Sequence, residues 1–372
     1  MRDKVPFLRG LAVLAILLGH VALYAQDPLQ PVRGEVLTST GVDRWIYWLL
    51  GTPTQVGDFA VPAFYVMAGL LCVPSMRSDA RGRYLGRQAV GLLTPLLLWS
   101  FVAVGVTYAV GSIPSMPVFL RSRLALGQVE WGYALPLALL QFYLVTPLIL
   151  RTCERRPGLV LGVAFAVQAA AIGLRLSGSL TGSLADIPTL GASAGQYAIW
   201  RWCGFFVAGL VLGLHPEPAR RWLLSRRRIL WIVTGAGLGL ALLEAEYLPE
   251  LTRDSGWISL QVRPGSTLYA FGGLALYFGA PRPEGPWVRR IARIGGVAFA
   301  LLLLHPIVFR VLQRVLALLG PLGGSTGLEL LRLHPLLAGL AYLLLGAVPL
   351  VWCMVRLYDS RWRSVARRVL GH

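Results

Sequence analysis

Charge is what this sequence has least of. Only 14% of its 372 residues are charged, against roughly a quarter in an average soluble domain. Lysine is all but absent, Lys4 being the only one, and 17 acidic residues stand against 35 basic ones. The four cysteines, Cys72, Cys153, Cys203 and Cys353, show no CxxC spacing and no nearby histidine. That excludes a disulfide framework and the common zinc sites, and leaves them as small buried hydrophobes. There is no HExxH, no GxSxG elbow, no P-loop and no acidic cluster suited to magnesium. These absences argue against a membrane metalloprotease, the usual serine hydrolase and an ATP-driven pump, and no metal is expected. No cleavable signal is expected, because the first apolar stretch has no Ala-x-Ala site and carries its own polar residues. No internal repeat is visible, which counts against a transporter built from inverted repeats.

What is abundant is apolar sequence. Hydrophobic residues make up 56% of the chain, and the mean hydropathy is +0.63. A bilayer crossing needs ~20 mostly apolar residues. Such runs recur from end to end, with no gap large enough for a soluble domain. Ten are expected: 5–25, 57–75, 86–110, 132–150, 158–176, 197–214, 229–247, 266–280, 295–318 and 334–355. The fold class is therefore an all-α polytopic membrane protein. A net charge of +18 raises the question of nucleic acid. The arginines cluster between the apolar runs, however, as the positive-inside rule requires, and no nucleic-acid partner is expected. With the N-terminus inside, every inner segment holds at least three positives, from Arg2, Lys4 and Arg9 to Arg356, Arg361, Arg363, Arg367 and Arg368. Both termini are thus expected in the cytoplasm and the chain in the cell (inner or plasma) membrane. A membrane domain is expected over 1–356, with a basic tail at 357–372. The longest outer loop is 26–56, whose aromatic stretch 43–50 suits the membrane interface. The preference for arginine over lysine fits a GC-rich, bacterial genome.

Ionisable residues inside a membrane are candidates for function. Arg9 and His20 lie eleven residues apart on the first expected helix, which places them on one face, separated by ~16 Å along the axis. An arginine suits a phosphate, and a histidine suits general-base work near neutral pH. The pair fits a long anionic donor entering from the cytoplasm, and the pantetheine arm of coenzyme A is of about that length. The competing reading is a snorkelling arginine and a structural histidine. His305, in Leu301-Leu302-Leu303-Leu304-His305-Pro306, is either a second active-site histidine or a satisfied structural one. Pro306 frees a backbone carbonyl one turn back. Asp58 either orients a histidine, binds an acceptor hydroxyl, or is a helix N-cap. The Arg77, Arg81, Arg83, Arg87 cluster is dense enough for a nucleotide's phosphates and equally fits a topogenic role. Glu244 and Glu246 read as interfacial.

Several blocks in order resemble acyltransferase family 3. Phe7-Leu8-Arg9-Gly10-Leu11-Ala12 followed by His20 is similar to that family's Arg-Gly-(Ile/Leu)-Ala…His signature. Val61-Pro62-Ala63-Phe64-Tyr65-Val66-Met67-Ala68-Gly69 resembles its Val-Pro-x-Phe-Phe-x-x-Ser-Gly block. Tyr84-Leu85-Gly86-Arg87 through Trp99 resembles its basic stretch and third helix. Trp131 with Tyr143-Leu144-Val145-Thr146-Pro147-Leu148 resembles its fourth helix. Phe205-Phe206-Val207-Ala208-Gly209 and Ala298 to Pro306 resemble two later blocks, the second of which ends in His-Pro. The likeness spans about residues 5–355. Three positions depart from the pattern: Gly91 stands where a second arginine is expected, Ala68 replaces a serine, and leucines replace the aromatics before His305.

The resemblance implies a ten-helix membrane acyltransferase with both termini inside. Its donor would be an acyl-CoA, acetyl-CoA foremost, held by Arg9, Arg83 and Arg87. His20, His305 and Asp58 would be the catalytic candidates. The acceptor would be a hydroxyl of a glycan, a glycolipid or lipid-linked sugar, or a small molecule, reached in the lipid bilayer. The rival classes are a flippase of lipid-linked sugars and a non-catalytic scaffold of a glycan-assembly complex.

Overall fold

A computed structural model of the chain describes residues 1–26, 49, 51–78, 81–109, 133–181, 198–252, 263–322 and 335–360. No strand occurs among them. The helices are α1 (Val5–Gln26), α2 (Ala60–Arg77), α3 (Arg81–Ala109), α4 (Ala134–Arg155), α5 (Pro157–Thr181), α6 (Cys203–Leu214) and α7 (Pro216–Ser225). They continue with α8 (Arg227–Thr252), α9 (Pro264–Gly279), α10 (Pro286–Gly296), α11 (Ala298–Leu322), α12 (Pro335–Ala341) and α13 (Val348–Asp359). A π-helical segment, Tyr342–Ala347, joins the last two. Trp131, nearly all of the 26–56 loop and the tail beyond 360 lie outside the described residues.

Eight helical stretches are long and apolar enough to cross a membrane. Their outward faces say what solvent they need. On α5, Leu159, Val163, Val167 and Leu174 are exposed, four or seven residues apart and so on one side of the helix. Leu344, Leu345, Val348 and Trp352 do the same around the start of α13. Apolar stripes of this length are untenable in water and unremarkable in lipid. Prolines inside α2, α3 and α4 fit the same setting, where neighbouring helices re-satisfy the freed carbonyls.

The other two expected crossings, 197–214 and 266–280, form short helices. α6 has 12 residues, fewer than its expected segment, and α9 has 16, both below the ~20 a full span needs. α6 is cut short at its start by a 3-10 turn, Ile199–Arg201, after which Trp202 leaves helical geometry (φ −126°, ψ 0°). α7 and α10 are helices where the arginine-rich connections read as loops. Each opens on a proline, the residue whose missing N–H costs nothing at a helix start.

The chain divides into two compact units. The first comprises Met1–Ala12, Asp58–Leu93 and Ala134–Gly295. Within it α2 crosses α6 where Gly69 faces the backbone of Phe206–Leu210 and Gly209 faces Val66 and Leu70. A Cβ at either glycine would collide with a carbonyl, so the close approach depends on both. Rings of Tyr65, Phe142, Trp202 and Phe206 fill the space beside this crossing, Phe142 stacking on Phe206 at 4.4 Å.

α9 packs along α8 and is held at both ends. At its start, the two carboxylate oxygens of Glu244 accept from the Gly265 N–H at 3.0 Å each. At its end, the Lys4 ammonium donates to the carbonyls of Tyr277 (3.1 Å), Phe278 (3.0 Å) and Ala280. An acid at the N-terminus and a base at the C-terminus complement the helix dipole. Three rotatable N–H groups on one point charge suit three converging carbonyls, which accounts for a lysine at this one position. Tyr277 returns a bond through its hydroxyl to Lys4 O at 2.8 Å.

The second unit comprises Val13–Gly57, Thr94–Tyr133 and Gly296–His372. Its described part sets the rest of α1 beside α11 and the α12–α13 pair. The fully buried Tyr133 hydroxyl lies 3.0 Å from Leu303 O and 3.3 Å from Trp99 O, tying α11 to α3.

Candidate functional site

Within the second unit, the two histidines singled out in the sequence meet. His305 Nε2 lies 3.2 Å from His20 Nδ1, with the rings edge to face at 4.6 Å. His305 is fully buried, and its Nδ1 lies 2.8 Å from Leu301 O, one turn back. Each next residue on the same faces is aromatic. Tyr24 follows His20 by four residues, Phe309 follows His305 by four, and their rings meet at 5.4 Å. Tyr342, at the start of the π segment, closes the cluster against both. The π turn brings Gly346 so close to Phe309 that a Cβ there would press on the ring. Such turns are frequent at functional sites.

The hydrogen bonds fix the tautomers of both neutral rings. A carbonyl only accepts, so the proton of His305 sits on Nδ1 and Nε2 presents its lone pair. That lone pair can be met only by a donor, so the His20 proton sits on Nδ1. His20 Nε2 is then left with an open lone pair. The chain Leu301 C=O, His305, His20 is the arrangement of a general base oriented by a second group. His20 is half-buried, whereas both nitrogens of His305 are taken.

Arg9 belongs to the first unit. It is half-buried on α1 and makes no ion pair and no side-chain hydrogen bond among the described residues. Its electrostatic neighbour is the Tyr143 phenol, whose ring meets that of Tyr84 edge to face at 6.1 Å. An inward-facing guanidinium without a carboxylate partner leaves its fork of donors available to an anion. Arg83 and Arg87 are exposed, four residues apart on the first turns of α3. Arg77, from the same sequence cluster, is taken by Glu154 at 2.7 Å.

Asp58 goes elsewhere. It is buried, and its Oδ2 accepts from Arg263 Nη2 at 2.9 Å and from the Ser266 hydroxyl. No histidine is among its hydrogen-bond partners in the described residues, and it does not cap α2, whose N-cap is Phe59 without a side-chain bond. Glu244, expected at the interface, is buried at the start of α9 beside this cluster. Arg263 and Ser266 carried no signal in the sequence. Both stand in an Arg-Pro-Gly-Ser run at the edge of an apolar segment, and their carboxylate partner is more than 200 positions away. No group of three or more His, Cys, Asp or Glu suited to a metal occurs among the described residues.

Helices long and apolar enough to cross a membrane thus carry an oriented histidine with an open lone pair. The family model described as an acyltransferase domain, acyltransferase family 3, matches residues 4–356. The chain belongs to that family and is a membrane acyltransferase. No curated protein and no solved structure matches it.

Proposed function

We propose that this protein moves an acyl group, acetyl foremost, from acyl-CoA to a hydroxyl of a glycan, a lipid-linked sugar or a small molecule at the cell membrane. The observation that carries this reading is the hydrogen-bond chain that leaves His20 Nε2 open. In the transfer, Nε2 takes the proton of the acceptor hydroxyl as its oxygen bonds to the thioester carbonyl carbon. The C–S bond then breaks, and the leaving thiolate takes the proton back from the imidazolium. His305 holds the tautomer and supports the transient charge through the carbonyl of Leu301. It is too buried, and too fully bonded, to carry the acyl group itself. Arg9 supplies a phosphate anchor for the donor, with Arg83 and Arg87 as further positive charge. No metal is needed for any of these steps. Asp58 stays out of the transfer, because its oxygen is committed to Arg263 and Ser266.

The test is free thiol release by the purified, detergent-solubilised protein from acetyl-CoA and longer acyl-CoAs, with membrane glycolipid extract as acceptor. Release that depends on acceptor and is lost in His20→Ala supports the reading. Folded protein that consumes no thioester with any donor and acceptor refutes it, and favours the flippase or scaffold.

A further inference from the structure

In the first unit, the last turn of α9 is flanked by two helices that the transfer step does not use. Leu223 of α7 is buried and packs on Gly279, where an added Cβ would lie 3.2 Å from it. In the same turn Tyr277 stacks on Phe7 at 6.4 Å, and Phe7 meets Trp287 of α10 edge to face at 5.2 Å. α10 is pressed on the start of α1. A Cβ at Gly10 would collide with the carbonyl of Ile291, and one at Gly295 with that of Pro6.

Both helices turn arginines away from this packing. On α10, Val288 and Gly295 are buried while Arg289, Arg290 and Arg293 are exposed, and helical periodicity puts the two sets on opposite sides. On α7, Arg220 and Arg221 are exposed near the buried Leu223, and the exposed run 226–228 follows. Arg282, between α9 and α10, is paired with Asp3 at 3.8 Å. Arg220, Arg221, Arg289, Arg290 and Arg293 make no ion pair and no side-chain hydrogen bond among the described residues. Two indoles stand among them, Trp222 at 52% exposed and Trp287 at 55%. A tryptophan beside arginines suits the boundary between acyl chains and headgroups, with its ring in the apolar layer and its N–H toward water. Topology asks only for positive charge on this side. Guanidinium forks without acceptors, set beside such rings on amphipathic helices, ask for an anion at headgroup depth, and the anion found there is a lipid phosphate. This surface is separate from the donor anchor. Phe7 and Arg9, two residues apart, lie on nearly opposite sides of α1, which puts Trp287 on one side and Arg9 on the other.

We propose that α7 and α10 form a docking surface for anionic phospholipid of the inner leaflet. Headgroup phosphates sit on Arg220, Arg221, Arg289, Arg290 and Arg293, and acyl chains lie beside Trp222 and Trp287. By the arginine distribution this end of the first unit faces the cytoplasm. The proposal goes beyond the transfer reading and does not rest on it.

The test is thermal unfolding of the whole protein in uncharged detergent, titrated with short-chain phosphatidylglycerol or with phosphatidylcholine of the same chains. Both carry a phosphate, and only the first carries net charge. Wild type is expected to gain thermal stability from phosphatidylglycerol and little from phosphatidylcholine. The triple variant Arg289→Gln, Arg290→Gln, Arg293→Gln should need about tenfold more phosphatidylglycerol for half the effect, or still more, each arginine near an anionic surface being worth about fivefold. The pair Arg220→Gln, Arg221→Gln should shift it in the same direction. A control triple, Arg151→Gln, Arg155→Gln, Arg156→Gln, removes as much charge around the end of α4 and should stay within about twofold of wild type. A wild type that answers both lipids equally or neither, or a control that loses as much as the α10 triple, overturns the proposal and leaves these arginines to topology. Should the α10 triple fail to fold, the α7 pair carries the same comparison. Coenzyme A is the rival probe. An α10 triple that loses stabilisation by coenzyme A and keeps that by phosphatidylglycerol overturns the lipid site and assigns the surface to the donor. Lipid binding of the expected kind by a protein without thiol release would sink the transfer reading and leave this surface standing, and an active protein indifferent to phosphatidylglycerol would do the reverse.

Discussion

The His20–His305 pair and the Asp58–Arg263–Ser266 cluster each hold a buried polar side chain, and both join partners far apart in the chain, by 285 and 205 positions. They are built in opposite senses. In the histidine pair each hydrogen bond runs one way, from His20 through His305 to a backbone carbonyl, and the chain ends on an open lone pair. In the carboxylate cluster two donors converge on one oxygen of Asp58, and a second carboxylate, Glu244, is spent on the start of α9. The first arrangement leaves a valence for a substrate. The second gathers donors onto one carboxylate oxygen and ties the turn before α2 to the start of α9. Burial of a charged or polar group therefore does not mark chemistry by itself; an unfilled valence does.

The sharpest way to break this comparison is His20→Ala. It removes the open lone pair and should lower the transfer rate by about 10²–10⁴-fold, the range for a positioned general base. Expression and the unfolding temperature should stay near wild type. A normally active His20→Ala protein would end the comparison, since the open valence would then be doing nothing.

Asp58→Ala should act the other way, on stability. It leaves the fully buried Arg263 guanidinium without its carboxylate, a change that costs about 3–5 kcal/mol when a buried pair is broken. Denaturant unfolding in detergent should show that loss, while the folded fraction keeps its turnover number for donor. A variant that folds as wild type does but fails in transfer would move Asp58 to the catalytic side of the comparison.

Much of this was visible in the sequence, and the remainder was hidden for identifiable reasons. Hydropathy marks the apolar segments, eight of which are helices of membrane-crossing length among the described residues, because lipid demands long runs whatever their partners. His20 and His305 stand out singly among leucines, and Arg9 by its spacing from His20. That the histidines touch, through tautomers set by Leu301 O, is a tertiary fact without a local trace. Lys4 is legible only as one of the inner positive charges, because such a charge near a helix end serves topology equally well exposed or buried. Only the carbonyls of Tyr277, Phe278 and Ala280 reveal it as a cap. α7 and α10 were masked by their arginines, although Pro216 and Pro286 at their first positions were available as helix-start signals.

Lys4→Met tests the holding side at a smaller scale. It removes a charged donor from three carbonyls at the end of α9 and should destabilise the protein by about 1.5–3 kcal/mol, the range for hydrogen bonds to a charged group. Lys4→Arg should recover only part of that, since a planar fork cannot aim at three carbonyls around one point. Unfolding temperatures of the two variants decide it. Equal stability of Lys4→Met and wild type would make the lysine topogenic after all.

The smallest expected effect falls on His305, and it separates a positioning residue from a catalytic one. If His305 only fixes the His20 tautomer, a side chain that accepts from His20 Nδ1 should preserve much of the rate. Glutamine offers such an acceptor in its amide oxygen and a donor for Leu301 O in its amide nitrogen. His305→Gln should therefore lose about tenfold in kcat, with KM for the donor unchanged, while His305→Ala should lose about tenfold more. Loss of the Nδ1 partner lets His20 populate the other tautomer, whose Nε2 carries the proton and cannot serve as base. The same tautomer shift should appear in the nitrogen chemical shifts of His20 in labelled protein, with Nε2 moving toward the protonated value in His305→Ala and not in His305→Gln. Equal and complete inactivation by both substitutions, with the His20 shifts unmoved, would mean that His305 acts on the substrate itself, and the one-way chain of hydrogen bonds would have to be read in the opposite direction.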